Sequence, residues 1–128
     1  MSDPVFLSLD DVEVLHRRSI NRYGGTMGVR DRGGLEAAVH HPKNVYYYGQ
    51  GDTFDIAAAY AFHIAEAQAF LDGNKRTAVA AALVFLELNG VHALYDSLRL
   101  YDAMIAIAER RLDKTGLAAL FRSPERTT

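Results

Sequence analysis

The sequence contains no cysteine. This absence excludes disulfide bonds and thiolate metal sites, and it suits a reducing compartment such as the cytoplasm. There is also no charged segment followed by an apolar leader and no apolar run of roughly twenty residues, so neither secretion nor a membrane span is expected. A basic excess is missing as well, because the formal net charge is −2, and this argues against direct nucleic-acid binding. We therefore expect a cytoplasmic protein without a membrane partner.

The remaining composition is that of one globular domain. The chain has 128 residues, of which 49% are apolar, and this is enough to bury one modest core. Apolar residues recur at helical spacing over most of residues 5–121, whereas the tail 122–128 is polar and is expected to be frayed. We predict a single all-α domain over residues 1–128, with one small β-like flap.

The N-terminal part predicts one long helix and one short helix. Ser8, with Asp11 three residues later, resembles a capping box for a helix that runs to about Tyr23 and stops at two glycines. A short helix should run from about residue 35 to residue 40 and end at Pro42, because a residue before proline is pushed out of the helical region.

The C-terminal two thirds predict four further helices. A cap at Asp52 or Thr53 begins a long, alanine-rich helix that extends to about Phe70. The next helix is apolar nearly all round, which indicates a central position, and Asn89-Gly90 stops it. The segments after Phe70 are predicted as helix over about 74–88, extended chain over 91–95, and helix over about 97–107 and 115–121.

Residues 44–52 differ from the rest of the chain. Tyr46, Tyr47 and Tyr48 have strand-favouring side chains, and Gly49-Gln50-Gly51 offers a turn. We therefore predict a small flap or irregular hairpin before the long central helices. From the residues alone, the tyrosines serve either internal packing or the docking of a partner.

The break between the two long helices is the most informative stretch. Asp72 and Gly73 are loop-forming, and Lys75 and Arg76 follow in the first helical turn, where the helix dipole disfavours cations unless an anion is bound among them. In such a phosphate cradle, Asp72 would hold Mg²⁺, and Gly73 and Asn74 would contact phosphate oxygens. The two cations would neutralise charge during phosphoryl transfer. The alternative is a tight turn beside two solvated cations, which turn chemistry alone favours.

Residues 70–78, Phe-Leu-Asp-Gly-Asn-Lys-Arg-Thr-Ala, resemble the signature of the Fic/Doc family, which has the form His-x-Phe-x-Asp-Gly-Asn-Lys-Arg-Thr-Ala. The likeness to the Doc branch extends over most of residues 5–121. Nucleotidylating members of the family carry Gly-Asn-Gly-Arg-x-x-Arg. Here Lys75 replaces the second glycine and Val79 the second arginine, as in Doc-type toxins.

The resemblance implies a compact helical Fic/Doc-type domain that binds ATP or another nucleotide triphosphate with Mg²⁺. It implies a toxin that phosphorylates a threonine of elongation factor Tu, inhibits translation and is neutralised by a Phd-type antitoxin. By position, Asp72 is the Mg²⁺ ligand and Phe70 anchors the loop, while Tyr46 to Tyr48 fall where the family has a target-docking flap. The phosphate contacts and charge clamps carried over are Gly73, Asn74, Lys75 and Arg76.

One departure from the family pattern changes the expected chemistry. The family motif opens with histidine, the general base, and this chain has Gln68 there. A neutral amide cannot accept a proton at pH 7, and loss of a general base costs roughly 10²- to 10⁴-fold in rate. Phosphoryl transfer depends mainly on positioning and electrostatics, so a site in which Gln68 only orients the hydroxyl can retain slow activity.

Two other functions stay open. Without transfer, the protein is a catalytically impaired Fic-fold pseudoenzyme that binds nucleotide or antitoxin. Nucleotidyl transfer (AMPylation) is disfavoured by Val79. No second base is expected, because His63 lies roughly 140° from Gln68 around an ideal helix, which predicts a hydrogen-bonded histidine that points elsewhere. Arg110 and Arg111 are interpreted as a solvated helix end.

Overall fold

The structure, a computed structural model, describes residues 3–124 and the backbone of residues 126–127. Within those ranges the chain forms six helices and two short strands. In chain order they are α1 (Leu9–Tyr23), α2 (Arg32–Tyr47), α3 (Thr53–Ala67), α4 (Asn74–Leu88), β1 (Ala93–Leu94), α5 (Ser97–Ala108), α6 (Lys114–Arg122) and β2 (Arg126–Thr127). The all-α prediction is confirmed. In the described ranges, no helix is both long and apolar enough to cross a bilayer.

The centre of the fold is the helical hairpin of α3 and α4, the most extensively packed pair of helices. Alanines dominate its buried surface, and small side chains let helix backbones approach closely. Larger side chains from the other helices, such as Leu35, Met104 and Phe121, complete the core around this hairpin. Seven alanines of the hairpin are fully buried, namely Ala57, Ala58, Ala59, Ala61, Ala78, Ala81 and Ala82.

Two helices begin where their capping residues predict. The Ser8 hydroxyl accepts a hydrogen bond from the backbone N–H of Asp11, and the Asp11 carboxylate accepts one from the N–H of Ser8. Asp52 and Asp55 form the same reciprocal pair at the start of α3. Such pairs satisfy two of the unpaired N–H groups at a helix start. The end of α3 was predicted three residues too late, since the helix stops at Ala67.

The predicted flap is wrong, and so is the predicted helix end at Pro42. One helix, α2, runs continuously through Pro42 to Tyr47. A proline inside a helix removes a hydrogen bond and costs about 3 kcal/mol, so packing must offset this cost. Leu35, Ala38, Val39 and Pro42 recur at helical spacing and are all buried. Pro42 thus lies on the stripe that α2 buries, and tertiary packing overrides the local preference.

The three tyrosines of the predicted flap therefore belong to a helix end. The hydroxyls of Tyr46 and Tyr47 donate to the Asp3 carboxylate at 3.0 and 3.4 Å. Their rings pack against Phe6 at centroid distances of 6.0 and 6.1 Å. Tyr48, by contrast, is 85% exposed. Internal packing is thus observed for two of the tyrosines, whereas the third is free to contact a partner.

The polar tail is not frayed throughout, contrary to prediction. Arg122 donates to both carboxylate oxygens of Asp52 and to Asp55. The strand β2 pairs antiparallel with β1, which lies in the segment predicted to be extended. The small sheet of this protein therefore joins the tail to the α4–α5 connection. Four residues of the predicted domain lie outside the described ranges: Met1, Ser2, Glu125 and Thr128.

Candidate functional site

The loop between α3 and α4, residues 68–73, is called the motif loop below, and its two ends have left-handed backbone conformations. Gln68 has φ 46° and Gly73 has φ 75°. A Cβ atom at Gly73 would lie 3.1 Å from a guanidinium nitrogen of Arg76 and 3.2 Å from Ile20 Cδ1. Only glycine fits this position without strain. The motif loop therefore turns tightly against α1 as it enters α4.

The side chain of Asn74 fixes the middle of the motif loop. Its Oδ1 accepts a hydrogen bond from the N–H of Phe70, and its Nδ2 donates to the Phe70 carbonyl, both at 3.0 Å. The Phe70 ring is buried in the core. One N–H of the Asn74 amide is used in this way, so the groups at this position that remain to bind an anion are its second amide N–H and its backbone N–H.

A segment between α1 and α2 pairs with the motif loop. The N–H groups of Arg30 and Asp31 both donate to the Ala69 carbonyl, and Val29 forms an antiparallel bridge with Phe70. The Arg30 guanidinium also donates to the Gln68 carbonyl. These bonds hold the backbone of the motif loop on the side opposite to the Asn74 side chain. The sequence does not predict this pairing.

His16 is a site residue that sequence reasoning missed. Its Nε2–H donates to the carbonyl of Asp72 at 2.8 Å, and its ring stacks on Phe70 with centroids 3.7 Å apart. The side chain is buried, only 3% exposed. The available signal was its spacing, because Val12, His16 and Ile20 lie four residues apart on the buried face of α1. A buried histidine on such a face needs a hydrogen-bond partner, and here the partner is the motif loop.

We expect His16→Phe to keep the ring stack but lose the hydrogen bond to Asp72. The free energy of unfolding should fall by about 1 kcal/mol, and Mg²⁺-ATP binding should weaken because the loop is held less firmly. Tyr60→Phe is the matched control, since it removes the hydrogen bond from the Leu7 N–H to the Tyr60 hydroxyl elsewhere in the core. Chemical denaturation and calorimetry measure both effects. Equal ATP affinities for the two variants would show that His16 only stabilises the fold.

Asp72 presents an exposed carboxylate beside the start of α4. Its Oδ1 accepts from the N–H of Gly73 and its Oδ2 from the N–H of Thr26, both at 3.2 Å. A carboxylate has about four acceptor positions, so this one retains capacity for a cation. Among the described residues, no group of three or more His, Asp or Glu side chains could enclose a metal ion. One carboxylate, completed by phosphate oxygens and water, nevertheless fits Mg²⁺.

The start of α4 is arranged to accept an anion. Its N-cap, Gly73, provides no side-chain hydrogen bond, and the N–H groups of the first turn have no acceptor within the helix. Lys75 is exposed at this end. Arg76 turns back, donates to the Gly24 carbonyl at 3.0 Å and lies 5.7 Å from the Tyr23 ring centroid. The positive end of the helix dipole and the exposed Lys75 therefore lie at the same helix end, whereas Arg76 is held by the end of α1.

Gln68 lies at the rim of a cavity of about 160 Å³, called the inner cavity below. Lys75 lines the same cavity, and apolar side chains of α5 form part of its wall. The structure thus brings Gln68 and Lys75 to one cavity.

His63 has a separate environment. Its ring stacks on His41 with centroids 3.9 Å apart, and Lys114 Nζ donates to its Nε2 at 3.0 Å. Burial, followed by the charge of Lys114 and the neighbouring His41, lowers the pKa of His63 to about 4. The prediction of a hydrogen-bonded helix histidine is confirmed.

Comparisons with known proteins agree with this arrangement. The model of the Fic/DOC family matches residues 6–86. Over 117 residues the chain is 35% identical to the protein kinase doc of Escherichia phage P1. This match covers 91% of this chain and 92% of that protein. It is 43% identical over 115 residues to the toxin Doc of Mycolicibacterium smegmatis, covering 87% of this chain and 88% of that protein.

Proposed function

This chain belongs to the Fic/DOC family, and on that premise we propose that it is a Doc-like toxin. It transfers a phosphoryl group from a nucleoside triphosphate to a hydroxyl group of a target protein. The observation that carries the proposal is the start of α4, where uncapped N–H groups, Lys75 and the Asp72 carboxylate are adjacent. The names of the two relatives, a protein kinase and a toxin, support it.

In this proposal the first turn of α4 binds the phosphate chain. The backbone N–H groups of residues 74–76 donate to phosphate oxygens, and Lys75 neutralises their charge. Asp72 would hold Mg²⁺ together with phosphate oxygens, and the ion would neutralise further charge there. His16, Asn74 and the segment 28–31 keep the motif loop in place, so the site needs little rearrangement on binding.

Gln68 orients the attacking hydroxyl but does not take its proton. The hydroxyl oxygen forms a bond to the γ-phosphorus, the bond from that phosphorus to the nucleoside diphosphate breaks, and the hydroxyl proton passes to water or a phosphate oxygen. Such a transfer has a loose transition state in most analyses, so positioning and electrostatics supply most of the catalysis. The natural protein is therefore a slow phosphotransferase.

The partners follow from the same proposal. The target is a translation factor such as elongation factor Tu, and a Phd-type antitoxin neutralises the toxin. Tyr48 is the tyrosine of residues 46–48 that is free to dock the target, because its ring is exposed at the end of α2. Tyr46 and Tyr47 would act indirectly, by holding that helix end against the N-terminal segment.

One observation favours a second candidate, the pseudoenzyme. Position 68 carries an amide in place of the histidine base, and among the described residues the lining of the inner cavity contains one carboxylate, Glu66, and no imidazole. A protein of this kind would act by binding nucleotide or antitoxin. Nucleotidyl transfer has less support, since Val79 packs against the core and offers no cation to the nucleotide.

Transfer from ATP labelled on either the α- or the γ-phosphate distinguishes these functions. We expect the γ label in a target protein, in the presence of Mg²⁺, at a rate well below that of an enzyme with a general base. The α label in the target would instead identify a nucleotidyltransferase. Nucleotide binding without either label in any candidate target would identify the pseudoenzyme.

A further inference from the structure

The turn after α5 has an unusual residue in a position that favours glycine. The N–H of Arg110 donates to the carbonyl of Ile107, and the N–H of Arg111 donates to that of Ala106. This is the Schellman pattern, in which the residue after the C-cap is left-handed and usually glycine. Arg110 occupies that position with φ 61°. An arginine there carries backbone strain that glycine would not have.

Arg110 borders two cavities, one of which reaches the motif loop. The inner cavity contains Gln68 and Lys75 in its lining, together with Arg110 from the turn after α5. A second cavity of about 380 Å³, the outer cavity, extends from α3 towards the α5–α6 turn. Both cavities share Glu66, Ile107 and Arg110 in their walls, so they adjoin. Arg110 therefore lies where the two cavities meet.

Arg110 contributes to the charge of the inner cavity. The charged residues in its lining are Lys75, Arg110 and Glu66. Two cations and one carboxylate leave a net positive charge, to which Arg110 and Lys75 contribute equally. Its guanidinium has no hydrogen-bond or ion-pair partner among the residues that the structure describes, whereas the adjacent Arg111 is paired with Glu109 at the surface. A guanidinium without a partner, beside apolar walls, is suited to bind an anion.

We propose that Arg110 is a phosphate-binding residue of the motif site. It contacts the phosphate chain of the nucleotide from α5, while Lys75 and the first turn of α4 contact it from the other side. This inference rests on the proposed function, because it takes a nucleoside polyphosphate as the ligand. Arg110 is exposed at the end of α5, in agreement with the interpretation of a solvated helix end. The proposal adds a ligand to that position, and it gives a reason for an arginine where glycine has the lower backbone energy.

The substitution Arg110→Gly tests this role without weakening the fold. Glycine relieves the left-handed strain, so the melting temperature should stay the same or rise. We expect the affinity for Mg²⁺-ATP to fall by about 10- to 100-fold, the effect of losing a charge-assisted hydrogen bond. The affinity for adenosine should not change, because adenosine has no phosphate. Arg111→Ala is the matched control and should bind ATP like the natural protein.

Calorimetry with adenosine, ADP and ATP separates the outcomes. A loss of affinity that grows from adenosine to ATP in Arg110→Gly, with partial recovery in Arg110→Lys, supports the role. If the natural protein binds ATP and Arg110→Gly binds it equally well, the role of Arg110 is overturned while the proposed function stands. If the natural protein binds no nucleoside triphosphate, both the proposed function and this inference are overturned.

Discussion

Replacing Asp72 with asparagine should lower phosphoryl transfer by about 10²-fold or more, because a metal ion contributes several kcal/mol of charge stabilisation. Asparagine has nearly the same shape, and its one carbonyl oxygen can still accept a hydrogen bond from the N–H of Thr26 or Gly73. The motif loop should therefore remain folded while the ligand for Mg²⁺ is lost. Calorimetric titration of Mg²⁺ in the presence of ATP, together with γ-label transfer, measures the effect directly.

Asp10→Asn is the matched control for this substitution. Asp10 lies in the first turn of α1 and its side chain is exposed. Removing its charge should change the free energy of unfolding by no more than about 0.5 kcal/mol and leave transfer unchanged. Induced expression gives an independent measurement, in which the natural protein arrests growth and Asp72→Asn does not. Arrest of equal strength by both would exclude Asp72 from the toxic activity.

Replacing Gln68 with histidine should raise the transfer rate by roughly 10²- to 10⁴-fold, the usual contribution of a general base. The backbone at Gln68 is left-handed, and histidine is among the residues that adopt this conformation more readily. The rate of the variant should increase with pH through the titration of imidazole near pH 6.5. The natural protein should show no such inflection, because its amide does not titrate.

Gln50→His is a closely matched control for Gln68→His. Gln50 is also exposed and left-handed, with φ 55°, and it lies in the turn between α2 and α3. The same change of residue in the same backbone conformation should therefore leave the rate unaltered. If only Gln68→His arrests growth, the natural protein is a silenced enzyme and acts through what it binds. If Gln68→His gains no rate over Gln50→His, the absence of a base does not limit this site.

The parts of this fold that depend on local chemistry could be predicted from the sequence. The start of α1 follows from Ser8 and Asp11, and the end of α4 follows from Asn89 and Gly90, because each involves residues within one helical turn. Helix α2 could not be predicted in the same way. Pro42 does disfavour a helix locally. The buried stripe of α2 outweighs this preference, because its stabilisation comes from contacts with the rest of the core.

The candidate site also has a part that the sequence predicts and a part that depends on distant contacts. The sequence places Asp72, Gly73 and Lys75 in one short segment, so their proximity follows from chain connectivity. The support of that segment does not, because His16 binds the Asp72 carbonyl from 56 positions away and Arg30 binds the Gln68 carbonyl from 38 positions away. Backbone carbonyls accept hydrogen bonds whatever side chain they carry, so sequence contains no local signal of such pairs. The position of Arg110 beside the inner cavity was not predicted for the same reason, since only the packing of α5 brings it there.

The alanines buried in α3 and α4 link the packing of the core to the distance that the motif loop must span. An alanine has no side-chain torsion to adjust, so backbone contact sets the distance between the two helices. Those helices end and begin at Ala67 and Asn74, the two points that the motif loop must span. A larger side chain at Ala61 or Ala78, which are both fully buried, would find no free space and would shift the helices, so the distance that the motif loop spans would change. Evolution could thus retune this site from inside the protein, without altering any residue that touches a ligand.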